Sequence, residues 1–145
     1  MTLVLMTVGS ADMTAQENTV EVAFERHASP SVLLVRARVN EKAVLLILDT
    51  GASNTVLSQE LLGEKLARSR FSTQSAGLHA QGRWTQATLE LGGRTWRDRP
   101  VVAMNLAEVS RAYGRRIDGL IGQDLLSEFA SVTIDFKARR LLLAP

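Results

Sequence analysis

Residues 46–53 read Leu46-Ile47-Leu48-Asp49-Thr50-Gly51-Ala52-Ser53, and this stretch decides how the rest of the chain is interpreted. An apolar run leads into an acid, a hydroxyl and a glycine, and the apolar pattern returns at Thr55-Val56-Leu57. Because desolvation disfavours a charged carboxylate, an acid at the end of a buried strand is either well hydrogen-bonded or kept partly protonated for chemistry. Gly51 lacks a side chain and lets backbone amides approach that acid closely. The stretch predicts a carboxylate held in a tight turn, and an ordinary turn aspartate is the alternative.

The composition is that of one globular domain. The chain has 145 residues, of which 46% are hydrophobic and 22% are charged, and this length is sufficient for a real core. The absence of cysteine excludes a disulfide framework, a thiolate nucleophile and cysteine zinc sites. It leaves the compartment open, because many secreted proteins also lack cysteine.

The N-terminal residues 1–18 are interpreted as a leader or a truncated signal segment, and residues 19–145 as the domain. The apolar run Leu3–Val8 has no Lys or Arg before it and is shorter than the apolar region of a usual signal. A truncated signal, an apolar strand and a disordered leader are all compatible with it. A signal remnant would indicate a periplasmic or secreted protein, and otherwise the protein would be cytoplasmic. No stretch approaches the roughly 20 apolar residues that span a bilayer, so no integral membrane segment is expected.

Hydrophobic periodicity predicts eight or nine short strands and one or two short helices. Residues 20–26 and 35–39 alternate apolar and polar side chains, as half-buried strands do. Asn40-Glu41-Lys42 is typical of a hairpin turn into the strand Val44–Leu48, which is apolar on both faces and therefore central. Short helices are expected after Ser58, after Asn105 and from Asp124. Without strand–helix alternation or an internal repeat, the pattern predicts an all-β, barrel-like domain.

Two separated motifs resemble those of the retropepsin-like (clan AA) aspartic proteases, in their single-domain bacterial and retroviral-like form. The first motif is 48–53, and the second is 117–126, which is similar to the family's apolar-apolar-Gly segment leading into a short helix. The tail 132–137 also resembles bacterial members. The resemblance covers residues from about Ser31 to Leu143. Retroviral members usually carry Arg where Gln123 stands, which puts their usual buried arginine contact in doubt but not the carboxylate chemistry.

The resemblance implies a retropepsin-like acid-protease barrel that works as a two-fold homodimer, with Asp49, Thr50 and Gly51 as catalytic residues. Peptide hydrolysis by paired acids needs one carboxylate to activate water and another to protonate the carbonyl oxygen. This chain has a single Asp-Thr-Gly, so a two-fold axis would have to bring Asp49 of each subunit together. The family arrangement also implies that Thr50 of each chain hydrogen-bonds across the axis.

The substrate-binding residues implied by the resemblance come from three segments. Ala52 and Ser53 follow the catalytic triplet, and Leu120 and Ile121 should wall the site and back the Asp49 turn. A glycine-containing hairpin stands where the family has a flap that closes over bound peptide, although a plain surface hairpin is the alternative. The hairpin residues are Gly77, Leu78, His79, Ala80, Gln81 and Gly82.

Other chemistries receive less support from the sequence. His27 and His79 have no second ligand at metal-site spacing, so we expect no metal. A Ser-His-Asp triad stays open, because its members need not be close in sequence, but no Gly-x-Ser-x-Gly elbow is present. No phosphate loop or dinucleotide fingerprint occurs, and no cofactor is expected.

An arginine-rich region, residues 94–116, carries six Arg against Asp98 and Glu108. A basic patch of this kind could steer acidic partners or nucleic acid. It lacks interleaved aromatics and any recognised binding motif, so a solvated surface is the favoured interpretation and no nucleic-acid partner is expected.

The function predicted from these observations is that of an aspartic endopeptidase, with a polypeptide substrate and a second copy of the chain as partners. The alternative is a dimeric peptide-binding or assembly module of the same fold without turnover. The intact Asp-Thr-Gly argues against that alternative, because a pure binder has no need for a costly pair of carboxylates.

Overall fold

The computed structural model describes residues 18–27, 32–63, 70–75 and 78–145, with residues 70–75 and 78–81 described through their backbone. The predicted leader, up to residue 17, lies outside the described residues, as does Gly77 of the predicted flap. Among the described residues, no helix has the length and apolar character that crossing a membrane requires.

Ten strands and three short helices make up the described chain. The strands are β1 (Val20–Arg26), β2 (Leu33–Val39), β3 (Lys42–Leu48), β4 (Val56–Ser58), β5 (Arg70–Ser75), β6 (Leu78–Leu91), β7 (Arg94–Met104), β8 (Gly119–Ile121), β9 (Ser131–Asp135) and β10 (Arg140–Ala144). The helices are α1 (Gln59–Leu62), α2 (Ala107–Ala112) and α3 (Gln123–Leu126). The predicted all-β class is confirmed, and the three helices lie at the three places where short helices were expected, which exceeds the predicted total of one or two.

Six strands close into a barrel in the order β6-β7-β4-β8-β3-β2, because β2 also pairs with β6. The closing contact is short and joins Arg38 to Glu90 and Val39 to Leu89. Outside the barrel, β1 continues the sheet from β2 and is followed by β10 and β9, all antiparallel. The site therefore rests on a closed sheet rather than on an open edge.

Tight turns connect neighbouring barrel strands, and one of them is the turn predicted at Asn40-Glu41-Lys42. Asn40 and Glu41 adopt positive φ angles of 47° and 68° and join β2 to β3. Gly92 and Gly93 join β6 to β7, with Leu91 opposite Arg94. At Gly92 the φ angle is 55°, and a Cβ atom there would lie 2.5 Å from a methyl carbon of Val20. Only glycine meets both demands.

The central strand β3 buries both of its faces. Val44 and Leu46 belong to the main core inside the barrel, whereas Leu45 and Ile47 belong to a second buried cluster with Leu34 and Ile117. Val109 in α2 and the following Tyr113 pack against this second cluster. Because side chains alternate along a strand, the residue two positions after Ile47 continues its face. That residue is Asp49.

Candidate active site

Asp49 follows β3 directly and is half-buried at the end of the barrel. Strand β8 runs parallel to β3, with Leu48 opposite Ile121, and the Asp49 amide donates to the Ile121 carbonyl over 3.0 Å. On its other side β8 pairs antiparallel with β4, through Val56 and Leu120. The chain from Asp49 to Thr55 therefore passes around the end of β8, which holds both ends of the turn.

The Asp49 turn is closed by its own backbone. The Gly51 amide donates to Asp49 Oδ1 over 2.9 Å, and the Ala52 amide donates to the Asp49 carbonyl over 3.3 Å. Thr50 and Gly51 are exposed, whereas Ala52 is half-buried. One carboxylate oxygen is thus fixed by a main-chain donor, as the glycine in the motif predicts.

The first turn of α3 is hydrogen-bonded to the segment that contains the Asp49 turn. The Gln123 amide donates to the Ala52 carbonyl over 2.8 Å, and the Asp124 amide donates to the Ser53 carbonyl over 3.1 Å. The Gln123 side chain donates from Nε2 to the Thr50 carbonyl over 2.7 Å. Gln123 thereby supports the main chain of the first motif with a neutral amide.

Thr55 is fully buried and connects the two motifs. Its hydroxyl donates to Asp124 Oδ1 over 2.8 Å and accepts from the Gly122 amide at 3.3 Å. Its carbonyl accepts from the Val102 amide of β7 at 3.0 Å. The sequence analysis did not single out Thr55, and its sequence neighbours Asn54 and Val56 carry no signal of its contact with the distant Asp124.

Gly122 lies in van der Waals contact with the main chain that follows the Asp49 turn. A Cβ atom at this position would lie 2.5 Å from the backbone carbon of Asn54 and 2.6 Å from its oxygen. Real Cβ atoms essentially never approach so closely, and backbone atoms cannot rotate away. The second motif therefore requires glycine at the point where it contacts the first.

A family model described as aspartyl protease matches residues 35–125, most of the chain, and includes the first motif and all but the last residue of the second. The chain belongs to the aspartyl protease family. Among curated proteins, none matches this sequence.

Solved structures show that this chain shares the retropepsin-like fold. A retropepsin-like aspartic protease from Rickettsia conorii is 20% identical, with a TM-score of 0.55 over 88% of this chain and 91% of that chain. The retroviral protease-like domain of Ddi1 from Leishmania major is 19% identical, with a TM-score of 0.54 over 79% of this chain and 92% of that chain. At these identities the likeness concerns the fold alone.

The two residues predicted to line the site, Leu120 and Ile121, point in opposite directions. Leu120 is half-buried and packs against the second cluster, on the face of β3 that leads to Asp49. Ile121 is fully buried in the main core. Ile121 consequently contacts Asp49 through its carbonyl, and only the Leu120 side chain lies on the Asp49 side of the sheet.

The segment predicted to be a flap lies in a two-stranded hairpin of β5 and β6, with Ser75 opposite Leu78. His79, Ala80 and Gln81 lie in β6, where they pair with β5. Gly82 is buried and pairs with Phe71 in β5 and with Met104 in β7. Gly82 is thus at the base of the hairpin, where β6 joins the barrel, and not at its tip.

Most arginines of the arginine-rich region form ion pairs. Five of its six arginines have a carboxylate within 4 Å: Arg94 and Arg99 with Glu128, Arg111 with Glu108, Arg115 with Glu25, and Arg116 with Asp118. The hydrogen bond from Arg115, with a second from Arg36, lowers the pKa of Glu25 below its usual range. The pairing favours a structural role for this region.

Asp118 is buried, and its side chain binds a main-chain amide of β3 that would otherwise pair with a neighbouring strand. Its carboxylate accepts from the Leu45 amide at 3.0 Å and from Arg116 Nε at 2.6 Å, and the hydrogen bond to Asp118 raises the pKa of Arg116. Asp118 therefore fixes the entry of β8 into the sheet. Among the described residues, no group of three or more His, Asp or Glu side chains is arranged to hold a metal ion.

Proposed function

We propose that this chain is an aspartic endopeptidase that works as a two-fold homodimer and hydrolyses peptide bonds with water activated by two Asp49 carboxylates. The observation that carries the proposal is the placement of Asp49. It stands half-buried at the end of a closed barrel, while the Thr50 and Gly51 that follow it are exposed. A carboxylate held in this way is presented to a partner surface and not to the chain's own core.

The homodimer follows from the number of carboxylates that the chemistry needs. The chain has one Asp-Thr-Gly, and the two acids of the second motif bind other partners. Asp118 completes the sheet beside β3, and Asp124 accepts from Thr55. Two carboxylates a few ångströms apart share one proton, because two like charges at that range are costly, so one can act as base and the other as acid. A second copy of Asp49 supplies the missing partner.

The substrate in this proposal is an extended polypeptide between the dimer body and the two hairpins of β5 and β6. Leu120, with Ile47 beside it, offers an apolar wall next to Asp49. The hairpin closes over the peptide and excludes water. Thr50 of each subunit hydrogen-bonds across the axis, and Ala52 and Ser53 line the floor of the cleft.

Cleavage of a denatured protein at mildly acidic pH tests the function. The wild-type chain should cleave it, a statine-type inhibitor should block the reaction, and Asp49→Asn should be inactive while keeping its size. A wild-type chain that binds the same denatured protein and forms dimers without cleaving it would replace the endopeptidase with the dimeric peptide-binding module.

A further inference from the structure

Arg99 in β7 lies behind the helix that holds the Asp49 turn, and its side chain is only 13% exposed. Its Nη2 donates to the Asp124 carbonyl, and its Nη1 donates to Glu128 Oε1. Nη2 also lies 3.9 Å from Asp124 Oδ2. Within the described part of the chain, the buried Arg99 Nε has no hydrogen-bond partner. Since a buried donor without a partner is unfavourable, the guanidinium is held here by what its two Nη atoms contact.

Asp124 is the point through which Arg99 reaches the site. Its carbonyl accepts from Arg99, its amide donates to the Ser53 carbonyl, and its carboxylate accepts from the Thr55 hydroxyl. Ser53 and Thr55 belong to the segment that follows Asp49 around the end of β8. A displacement of Asp124 would therefore displace that segment at two places.

We propose that Arg99 is a positioning residue: by fixing α3 through the Asp124 carbonyl, it sets the orientation of the Asp49 turn. This inference rests on the proposed function for its effect on catalysis. Arg99 lies outside both motifs, fifty positions beyond Asp49 in the sequence. It acts through Asp124, and no described contact joins it to Asp49 itself.

The planar fork of the arginine side chain explains why this residue type suits the position. One guanidinium presents several N–H donors in fixed directions, so it can bind the carbonyl at the start of α3 and the carboxylate beyond its end together. A lysine has a single ammonium on a flexible stem and cannot hold both groups in one geometry. Arg99→Lys should therefore retain the charge but only part of the positioning.

Arg94 provides a matched control on the same strand. It lies 3.8 Å from the same Glu128 carboxylate, and its guanidinium stacks 5.0 Å from the Trp96 ring and 4.9 Å from the Phe129 ring. Its described partners do not include Asp124. Arg94→Met removes a cation from Glu128 without releasing the start of α3. Arg99→Met removes a cation from Glu128 and also releases the start of α3.

Steady-state cleavage of one peptide by wild type, Arg99→Met, Arg99→Lys and Arg94→Met tests the inference, with active enzyme counted by titration with a statine-type inhibitor. A small misplacement of a catalytic group lowers the rate strongly, so kcat of Arg99→Met should fall by about 10- to 100-fold while KM changes less than about threefold. Arg99→Lys should be intermediate. Arg94→Met should keep kcat within about twofold of wild type, as expected for a surface change away from the site.

Amide hydrogen exchange of Gln123 and Asp124 gives a second measurement that needs no activity. Exchange at these amides should be faster in Arg99→Met than in wild type and unchanged in Arg94→Met. If the wild type is active, an unchanged kcat in Arg99→Met overturns the inference. An equal loss of kcat in Arg99→Met and Arg94→Met also overturns it, because both variants would then act through the stability that Glu128 provides. If the wild type cleaves nothing, the proposed function fails, and unchanged exchange in Arg99→Met then overturns the positioning separately.

Discussion

The Asp49 amide and the Ile121 carbonyl are joined by a main-chain hydrogen bond of 3.0 Å, which ties the first motif to the second at the acid itself. The bond extends the parallel pairing of β3 and β8 by one residue beyond Leu48. Because both atoms belong to the main chain, replacing the Asp49 side chain removes neither of them. Variants at Asp49 can therefore change the chemistry while the turn is kept, which makes the proposed dyad open to direct testing.

Asp49→Asn tests whether the site is shared between subunits. Each proposed site needs one Asp49 from each chain, so the variant should be inactive but dimeric, because Asn and Asp have nearly the same shape. If variant and wild-type chains are mixed equally and exchange freely, only dimers of two wild-type chains should work, and activity should fall to about one quarter. Differently tagged chains confirm full exchange. Activity near one half would mean that each subunit holds a complete site.

Ala52→Ser tests how the residue after the triplet influences the pH optimum. Ala52 is half-buried, and its amide already contacts the Asp49 carbonyl. A hydroxyl that donates to an ionised carboxylate stabilises the ionised form, so the activity optimum should move to lower pH. Profiles in the same buffers measure this, with Ala52→Val as a control that adds bulk without a donor. An optimum that stays in place or moves to higher pH contradicts the expectation.

Gly122→Ala should be strongly destabilising, because the new Cβ would lie 2.5 Å from the backbone carbon of Asn54. Overpacking of this kind costs about 1–3 kcal/mol of unfolding free energy. Urea unfolding measures the loss, and Ser127→Ala, an exposed position just after α3, should change stability by less than about 0.5 kcal/mol. Equal unfolding midpoints for Gly122→Ala and wild type would show that the two motifs are not in close contact.

Protonation of Glu128 in acid should lower the stability of the protein. Burial raises the pKa of Glu128, but hydrogen bonds from Arg99 and Trp96 more than offset this and hold it below its usual value of 4.5. Because the folded-state pKa is lowered, the stabilisation is complete above pH 4.5 and is lost as the pH falls through the lowered pKa. Urea midpoints at pH 6, 4 and 3 should fall more steeply for wild type than for Glu128→Gln. Parallel profiles would assign the acid sensitivity to other carboxylates.

The sequence predicts those parts of the fold that depend on local pattern. The two-sided apolar run before Asp49 predicts a central strand, and the structure buries Val44 and Leu45 on opposite faces of β3. The same local pattern could not separate Leu120 from Ile121, because a three-residue strand is too short to show which face it presents. Pairing with β3 resolves this, and it places only Leu120 on the Asp49 side.

The supports of the site could not be predicted in the same way. Thr55 and Arg99 contact Asp124 of α3 from different parts of the chain, and nothing in their own neighbourhoods indicates that contact. The composition of the arginine-rich region suggested a solvated surface. The structure shows that one of its members is largely buried, which depends on long-range pairing and not on residue type.

The insertion of β8 between β3 and β4 has a consequence for how the molecule is made. Leu46 pairs with Gly119, so the sheet beside Asp49 cannot form until a strand from far along the chain arrives. Such distant pairing slows folding, since loop-closure entropy is lost before the contacts form. During synthesis the Asp49 turn would stay unsupported until residue 122 has left the ribosome. A nascent chain would therefore carry Asp49 without the main-chain bond to Ile121 that supports it in the folded domain.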